Sequence, residues 1–361
     1  MTSARPILAV VSARPAGDGV GYSGLLLARA LTEIAGRAPH IIGLDPATAG
    51  KVSRREQLSF LARLTVSQRS APALPVVFNH IGIARAQLRV PSPVRRPYAV
   101  LLHGVEVWDP ALDADRKNAI RSATVRLSNS RYTARRVSSV HPGLGAIHPC
   151  PLALLPDDRH PTTADVAEAA RLLGQDPRPT AIIVGRMSVS ERYKGHDELL
   201  EAWPRVIAAV PMARLIVVGK GDDLERLRAK AASIGVTDGV QFTGFVGDGV
   251  LRELLTRSNV FAMPSRGEGF GLAYLEAMRR GLPCIGSDAD AAPEVIADGE
   301  TGCIVRAGDI AMLADTIVGL LRDSNRARTM GAAGSRREEQ VFTFAAFRHH
   351  LEEALRPSAG R

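Results

Sequence analysis

Residues 264–276 read Pro-Ser-Arg-Gly-Glu-Gly-Phe-Gly-Leu-Ala-Tyr-Leu-Glu. The apolar run at 260–263 precedes them and a helical pattern over 271–280 follows, which makes the segment a strand, a glycine-rich turn and a helix in sequence. Gly267, Gly269 and Gly271 let backbone approach a ligand closely, and the helix behind them points free N–H groups at whatever occupies the turn. Free N–H donors suit a phosphate, whereas Glu268 and Glu276 on the same segment repel one. Both groups are satisfied by a ligand that is anionic at one end and rich in hydroxyls elsewhere. Glu268 and Glu276 would accept hydrogen bonds from sugar hydroxyls while amides hold the phosphates, and a nucleotide-diphosphate sugar has that composition.

Outward from this segment, short apolar runs alternate with longer amphipathic stretches, the pattern of a parallel sheet covered by helices. Strands are expected at 7–11, 40–43, 75–78, 98–102 and 124–127, with helices over 22–35, 113–122 and 131–140. The rhythm resumes with strands at 180–184, 213–218, 240–243, 260–263, 284–285 and 303–305. Helices are expected there over 196–209, 222–233, 250–256, 271–280, 310–321 and 325–339. The stretch between Pro149 and Pro179 is rich in proline and acidic residues and carries one short helical run near 165–173. The expected fold is therefore α/β, with two Rossmann-like parallel-sheet domains at 1–155 and 175–340 whose C-terminal strand edges face a central cleft. An amphipathic segment at 342–358 is expected to return to the first domain as a closing helix.

The chain has 361 residues, 45% of them hydrophobic and 23% charged, the composition of a soluble globular protein. No apolar run approaches the roughly 20 residues that span a bilayer. Its first apolar stretch, ILAVVS, is short for a signal peptide and reads as a buried strand. Cys150, Cys284 and Cys303 show neither metal spacing nor a disulfide framework, which fits a reducing cytoplasm. Charge is uneven. Residues 1–150 hold 20 Lys and Arg against 8 Asp and Glu, a balance of +12, and the remainder holds 26 against 29, a balance of −3. The pairs Arg54-Arg55, Arg95-Arg96 and Arg135-Arg136 contribute to the excess, which suits an anionic membrane face or a phosphorylated acceptor as well as it suits a merely solvated surface. Nucleic acid is not expected, because aromatics are only 4% of residues and no stacking motif interleaves with the basic ones.

After the strand TAIIV come Gly185-Arg186-Met187 and then Glu191-Arg192-Tyr193-Lys194-Gly195. Arg186 leaves a strand end and Lys194 opens the next helix, so both belong on the rim from which the Glu268 turn emerges. Two cations facing a diphosphate would neutralise a departing nucleotide, each charge-assisted hydrogen bond being worth roughly 1.5–3 kcal/mol. G-R-M…K-G followed by P-S-R-G-E-G-F-G-L-A-Y-L-E-A-M…G-L-P resembles the donor domain of the retaining glycosyltransferases of family 4, which have the GT-B fold. The likeness spans almost all of residues 180–340. It implies that Arg186 and Lys194 bind the donor diphosphate, that Glu268 contacts the donor sugar and that Glu276 holds the nucleotide ribose. Gly269, Phe270, Gly271 and Leu272 would present backbone to phosphate and sugar.

In the first half, Gly17-Asp18-Gly19-Val20-Gly21-Tyr22-Ser23-Gly24 lies between a strand and a helix. It invites a dinucleotide-binding reading, but no acidic residue apart from Asp45 closes the second strand. In similar glycosyltransferases this loop, Gly21 included, faces the donor phosphates and acceptor. Leu101-Leu102-His103-Gly104 resembles the family's His-Gly element at a strand end, which would set His103 near the transferred sugar. Ser128-Asn129-Ser130 resembles another strand-end element and reads equally well as a helix cap before Arg131.

Two departures stand out. Related sequences commonly carry paired glycines shortly before a Pro-Glu, where this chain reads Ser287-Asp288-Ala289-Asp290-Ala291-Ala292-Pro293-Glu294, and 149–156 lacks the usual Asn-Gly turn. Asp288 and Asp290 form an Asp-x-Asp that would hold a metal in a different transferase fold; with Arg186 and Lys194 supplying positive charge, no metal or other cofactor is expected here. The expected activity is transfer of a hexose from a UDP- or GDP-sugar, with retention, to a glycan, lipid-linked or phosphorylated acceptor in cell-surface polysaccharide or glycolipid synthesis. The expected location is the cytoplasm, with the inner membrane face as a peripheral site. The competing reading is a non-catalytic GT-B subunit that binds a nucleotide sugar or scaffolds a partner.

Overall fold

The computed structural model describes residues 5–11, 19–44, 52–69, 74–156, 160–174 and 178–356. The chain forms two compact units, one running up to Leu155 and including the segment from Thr343, the other Pro156–Phe342.

The first unit contains, in order, β1 (Ile7–Val10), α1 (Gly19–Ala35), β2 (His40–Gly43), α2 (Arg54–Ser67), β3 (Val76–Phe78), α3 (Ile81–Ala84), β4 (Tyr98–Leu102), α4 (Ala114–Ser122), β5 (Val125–Ser128), α5 (Arg131–Val140) and β6 (His148–Pro149). Its six strands are all parallel in the order β2-β1-β3-β4-β5-β6. β1 and β4 are buried at every position, which explains why their sequences are continuous apolar runs and not alternating ones.

In the second unit follow α6 (Thr163–Leu173), β7 (Thr180–Val184), α7 (His196–Ala209), β8 (Arg214–Val218), α8 (Leu224–Ser233), β9 (Val240–Gly244), α9 (Asp248–Thr256), β10 (Val260–Ala262), α10 (Leu272–Arg279), β11 (Cys284–Ser287), α11 (Ala292–Val295), β12 (Gly302–Val305), α12 (Ile310–Arg322) and α13 (Ser324–Val341). Its sheet is also fully parallel, in the order β12-β11-β10-β7-β8-β9. The chain builds outward from β7 through β8 to β9, then crosses back to β10 on the other flank of β7. The loops after β7 and β10 therefore part at a topological switch point, where open α/β sheets bind ligands.

Each strand and long helix anticipated above is present, and the two-sheet α/β fold is as expected. Unforeseen were α2, α3, α11 and the two-residue β6. The α2 helix buries only Phe60 and Leu64, so its apolar periodicity is faint; its start is nonetheless written in the sequence. Ser53 accepts from the Glu56 N–H while the Glu56 carboxylate accepts from the Ser53 N–H, a reciprocal cap.

The last helix, α14 (Phe344–Leu355), belongs to the first unit and packs on α1. Phe347, Leu351 and Leu355 are buried, and burial of such side chains stabilises by about 1.5–3 kcal/mol each. The Arg29 guanidinium lies 4.9 Å from the centre of the Phe344 ring, and Arg348 pairs with Glu33 at 3.1 Å on the exposed rim. Phe347→Ala is expected to destabilise the first unit by about 3–5 kcal/mol in chemical denaturation. Arg348→Ala is expected to cost under about 1 kcal/mol, as exposed ion pairs do.

Candidate functional site

Two loops that leave adjacent strands meet in the second unit. After β7 the chain passes Gly185 and Arg186 and enters a 3₁₀ turn, Val189–Lys194, before α7. After β10 it runs through 263–271 into α10. Backbone and side chains zip the two together. The Arg266 N–H donates to the Tyr193 carbonyl at 2.8 Å, the Arg266 guanidinium pairs with Glu198 at 2.6 Å, and Gly267 lies flush on the Tyr193 ring. Gly195, with φ +91°, joins the 3₁₀ turn to α7, and a Cβ there would stand 2.8 Å from the Pro264 ring, so glycine meets both the left-handed backbone and the close approach.

Within this junction the structure places four charged side chains in a row. Arg186 pairs with Glu191, Lys194 lies 3.9 Å from the other Glu191 oxygen, and Lys194 Nζ donates to Glu268 Oε2 at 2.9 Å. Arg186 is 59% exposed, whereas Lys194 and Glu268 are 15% and 19% exposed. Burial alone would lower the Lys194 ammonium, but Glu268, Tyr193 and Glu191 outweigh it and hold the group above the ordinary lysine value. Two cations and two carboxylates thus cancel, and an incoming anion can exchange for either acid. Both helices that start here, α7 and α10, have glycine N-caps, Gly195 and Gly271, with no side-chain cap hydrogen bond. In α10 the Tyr274 N–H turns back to the Gly271 carbonyl at 3.0 Å, which leaves the Leu272 and Ala273 N–H groups at the helix start as the donors for an anion.

Gly269, Phe270 and Gly271 are buried in the turn and Leu272 opens α10; the Phe270 ring meets Phe342 edge-on at 5.8 Å. Glu276 is half-buried on α10 near Asp248 of α9. Burial first, then the Asp248 charge, raises its carboxyl to about 7. His196, just after Lys194, is buried, and burial followed by the Lys194 charge lowers it to about 4, so it is neutral at physiological pH.

Gly21 and His103 belong to the first unit. Gly21 lies inside α1, while Gly17, Asp18 and Asp45 fall outside the described residues. His103 follows β4. Its N–H donates to Glu106 at 2.6 Å, its carbonyl accepts from Asn129 at 2.7 Å, and its Nε2 is 2.6 Å from the Asn79 carbonyl. A carbonyl only accepts, so Nε2 carries the proton, and in the neutral ring Nδ1 is then an acceptor. His80 stacks on His103 at 5.9 Å between ring centres. Ser130 caps α5 by accepting from Thr133 at 2.9 Å, which gives that residue the capping role.

Residues that the sequence reading did not assign to the site are Glu191, Asn79 and His80, together with Asp290 in any role other than a metal ligand. Asn79 and His80 follow the strand Val-Val-Phe, a strand-end position that was legible. The carboxylates of the Asp-x-Asp serve separate backbone groups: Asp288 accepts from Ala307, and Asp290 from Glu268 and Ala292. Among the described residues no group of three or more His, Cys, Asp and Glu is placed to hold a metal ion.

Residues 178–323 match the family described as glycosyl transferases group 1. A GDP-mannose-dependent monoacylated alpha-(1-6)-phosphatidylinositol monomannoside mannosyltransferase of Corynebacterium glutamicum is 31% identical over 263 residues, 70% of this chain and 68% of that one. The chain belongs to the group 1 glycosyl transferases. A GDP-mannose-dependent alpha-(1-6)-phosphatidylinositol monomannoside mannosyltransferase of Mycobacterium tuberculosis is 35% identical over 212 residues, covering 57% of this chain and 54% of that relative, so the match spans about half its length. Among solved structures, Anabaena HepE with UDP-glucose has TM-score 0.76 at 18% identity, covering 97% of this chain and 99% of that chain. Sucrose-phosphate synthase of Thermosynechococcus elongatus has TM-score 0.78 at 21% identity, covering 97% and 98%. These structural likenesses show the GT-B fold.

The raised carboxyl of Glu276 has a measurable consequence. Its folded value, about 7, lies above the ordinary 4.5, so the stability it confers is full below about 4.5 and is lost as pH rises through 7. The melting temperature of Glu276→Gln should therefore fall less between pH 5.5 and pH 8 than that of the wild type; equal falls would show that Glu276 is not held protonated.

Proposed function

We propose that this chain is a hexosyltransferase that draws on a nucleotide-diphosphate sugar, with GDP-mannose as the first candidate donor. The reading is carried by the Arg186–Glu191–Lys194–Glu268 row beside two uncapped helix N-termini at the switch point. The choice of base and sugar leans on the GDP-mannose-dependent relatives. The diphosphate takes Lys194 and Arg186 and the first-turn N–H groups of α10. Glu268, released from Lys194, accepts from a sugar hydroxyl, while Glu276 accepts from the ribose. Charge that develops on the departing diphosphate is met by the two cations, where it is worth most.

Transfer proceeds with retention. The bond from C1 to the phosphate oxygen breaks, the acceptor hydroxyl oxygen bonds to C1 on the same face, and its proton passes to the departing phosphate. Acceptor recognition falls to the basic first unit, where the acceptor nitrogen Nδ1 of His103 suits a hydroxyl. A lipid-linked polyol is the favoured acceptor class, in line with the phosphatidylinositol mannosides named for the relatives. Exposed Leu58 and Val66 lie on α2 together with Arg54 and Arg55, which supports a peripheral place on an anionic inner membrane face. No helix of the described residues is long and apolar enough to cross a membrane.

Two measurements test this reading. Sugar transfer from GDP-mannose, or its slow hydrolysis, should fall about 10²–10³-fold in Lys194→Ala and Glu268→Ala, and the product should keep the donor's anomeric configuration by NMR. Equal background release from all three proteins would instead mark a non-catalytic binding subunit. Co-sedimentation with anionic vesicles should be clear at low salt and weaken at high salt; no binding at low salt would remove the membrane from the account.

A further inference from the structure

Asp290 lies in the loop between β11 and α11 and is 2% exposed. Its Oδ2 accepts from the Glu268 N–H at 2.8 Å and its Oδ1 from the Ala292 N–H at 2.9 Å, while the Ala291 N–H donates to the Glu268 carbonyl at 3.2 Å. Glu268 is thereby gripped at three points: its peptide N–H and C=O by residues 290 and 291, and its carboxylate by Lys194. A glycine at 290 would leave the Glu268 N–H without this partner.

The groups around Asp290 come from several elements. From the turn after β10, Glu268 faces it with like charge and the Ser265 hydroxyl hydrogen-bonds to it. From α10, the Tyr274 hydroxyl lies in its field but donates to the Met263 carbonyl at 2.6 Å. Lys194, from the turn after β7, is committed to Glu268. On its own loop Asp288 is occupied with Ala307, and at the far end of α11 Arg337 binds the Glu294 carbonyl. Burial outweighs the backbone donors, and with Glu268 it raises the Asp290 carboxyl to about 7.

We propose that Asp290 is a positioning residue that fixes the Glu268 turn for the donor sugar and takes up a proton from solvent when the donor diphosphate arrives. The inference rests on the donor site proposed above. A diphosphate adds negative charge and draws Lys194 away from Glu268, so the Glu268 carboxylate facing Asp290 loses its cation. Protonating Asp290 removes one of the two like charges, with Ser265 Oγ as hydrogen-bond acceptor for the new O–H. Donor affinity is then coupled to pH through a residue that never touches the donor.

The test is titration calorimetry of GDP-mannose and of UDP-glucose into the full chain at pH 7, in two buffers of different ionisation enthalpy, with dissociation constants at pH 6 and pH 8. The wild type should take up a fraction of a proton per donor bound and bind several-fold more weakly at pH 8. Asp290→Asn should take up fewer protons than the wild type and show a flatter pH dependence. Asp290→Gly should do the same and also bind about tenfold more weakly, because the turn loses its clasp. Because Glu276 can also exchange protons on binding, the difference between wild type and Asp290→Asn isolates Asp290. Proton exchange on donor binding that is the same in the wild type and in Asp290→Asn overturns the proposal. Failure of the wild type to bind either nucleotide sugar overturns the donor site itself, and this inference with it.

Discussion

The ion pair between Lys194 and Glu268 is the constraint on which the second unit's site depends. It joins two loops 74 residues apart in the chain, from neighbouring strands of one sheet, at 2.9 Å and largely away from water. Partial burial makes each partner costly to leave alone, so the pair fixes the separation of the two loops. The same property makes the pair exchangeable. A diphosphate can replace Glu268 as the partner of Lys194, and a hydroxyl can replace Lys194 as the partner of Glu268, without leaving either charge bare. A ligand that carries both groups a few bonds apart satisfies the two at once.

The rest of the unit holds those loops still. Gly219 and Gly221, after β8, press against the Gly185 and Met187 carbonyls so closely that a Cβ would stand 2.0 Å from either oxygen. Buried Asp223 binds Arg192 of the 3₁₀ turn and Arg226 of α8, and Arg226 continues to Asp197 of α7. Hydrogen bonds from Arg226, then Arg192, hold the Asp223 carboxyl well below the ordinary range, so this clamp is ionised at neutral pH. Rigid support of this kind lets the charged row be poised and not merely present.

The sheets were readable because most strands are short apolar runs between turn residues, and a strand such as β1 or β4, buried at every position, leaves little else it can be; the two-residue β6 has no such run. α2 was not readable from periodicity, since only Phe60 and Leu64 face the core, although Ser53 and Glu56 announced its start. The cations and acids of the rim were legible from their strand-end and helix-start positions. Their pairing was not. Whether Lys194 meets Glu268, or Asp290 turns toward the Glu268 N–H instead of toward a metal, depends on how loops 22 to 74 residues apart settle against one another. No metal was expected of the Asp-x-Asp, but the backbone donors that occupy its two carboxylates could not be read from the spacing.

The central claim is an exchange of partners at Lys194, and a crystal structure of the chain soaked with GDP-mannose tests it most directly. The account predicts the diphosphate on Lys194 and Arg186, the hexose hydroxyls on Glu268 and the Lys194–Glu268 bond broken. A nucleotide sugar bound with that ion pair intact, or bound elsewhere in the second unit, would contradict it.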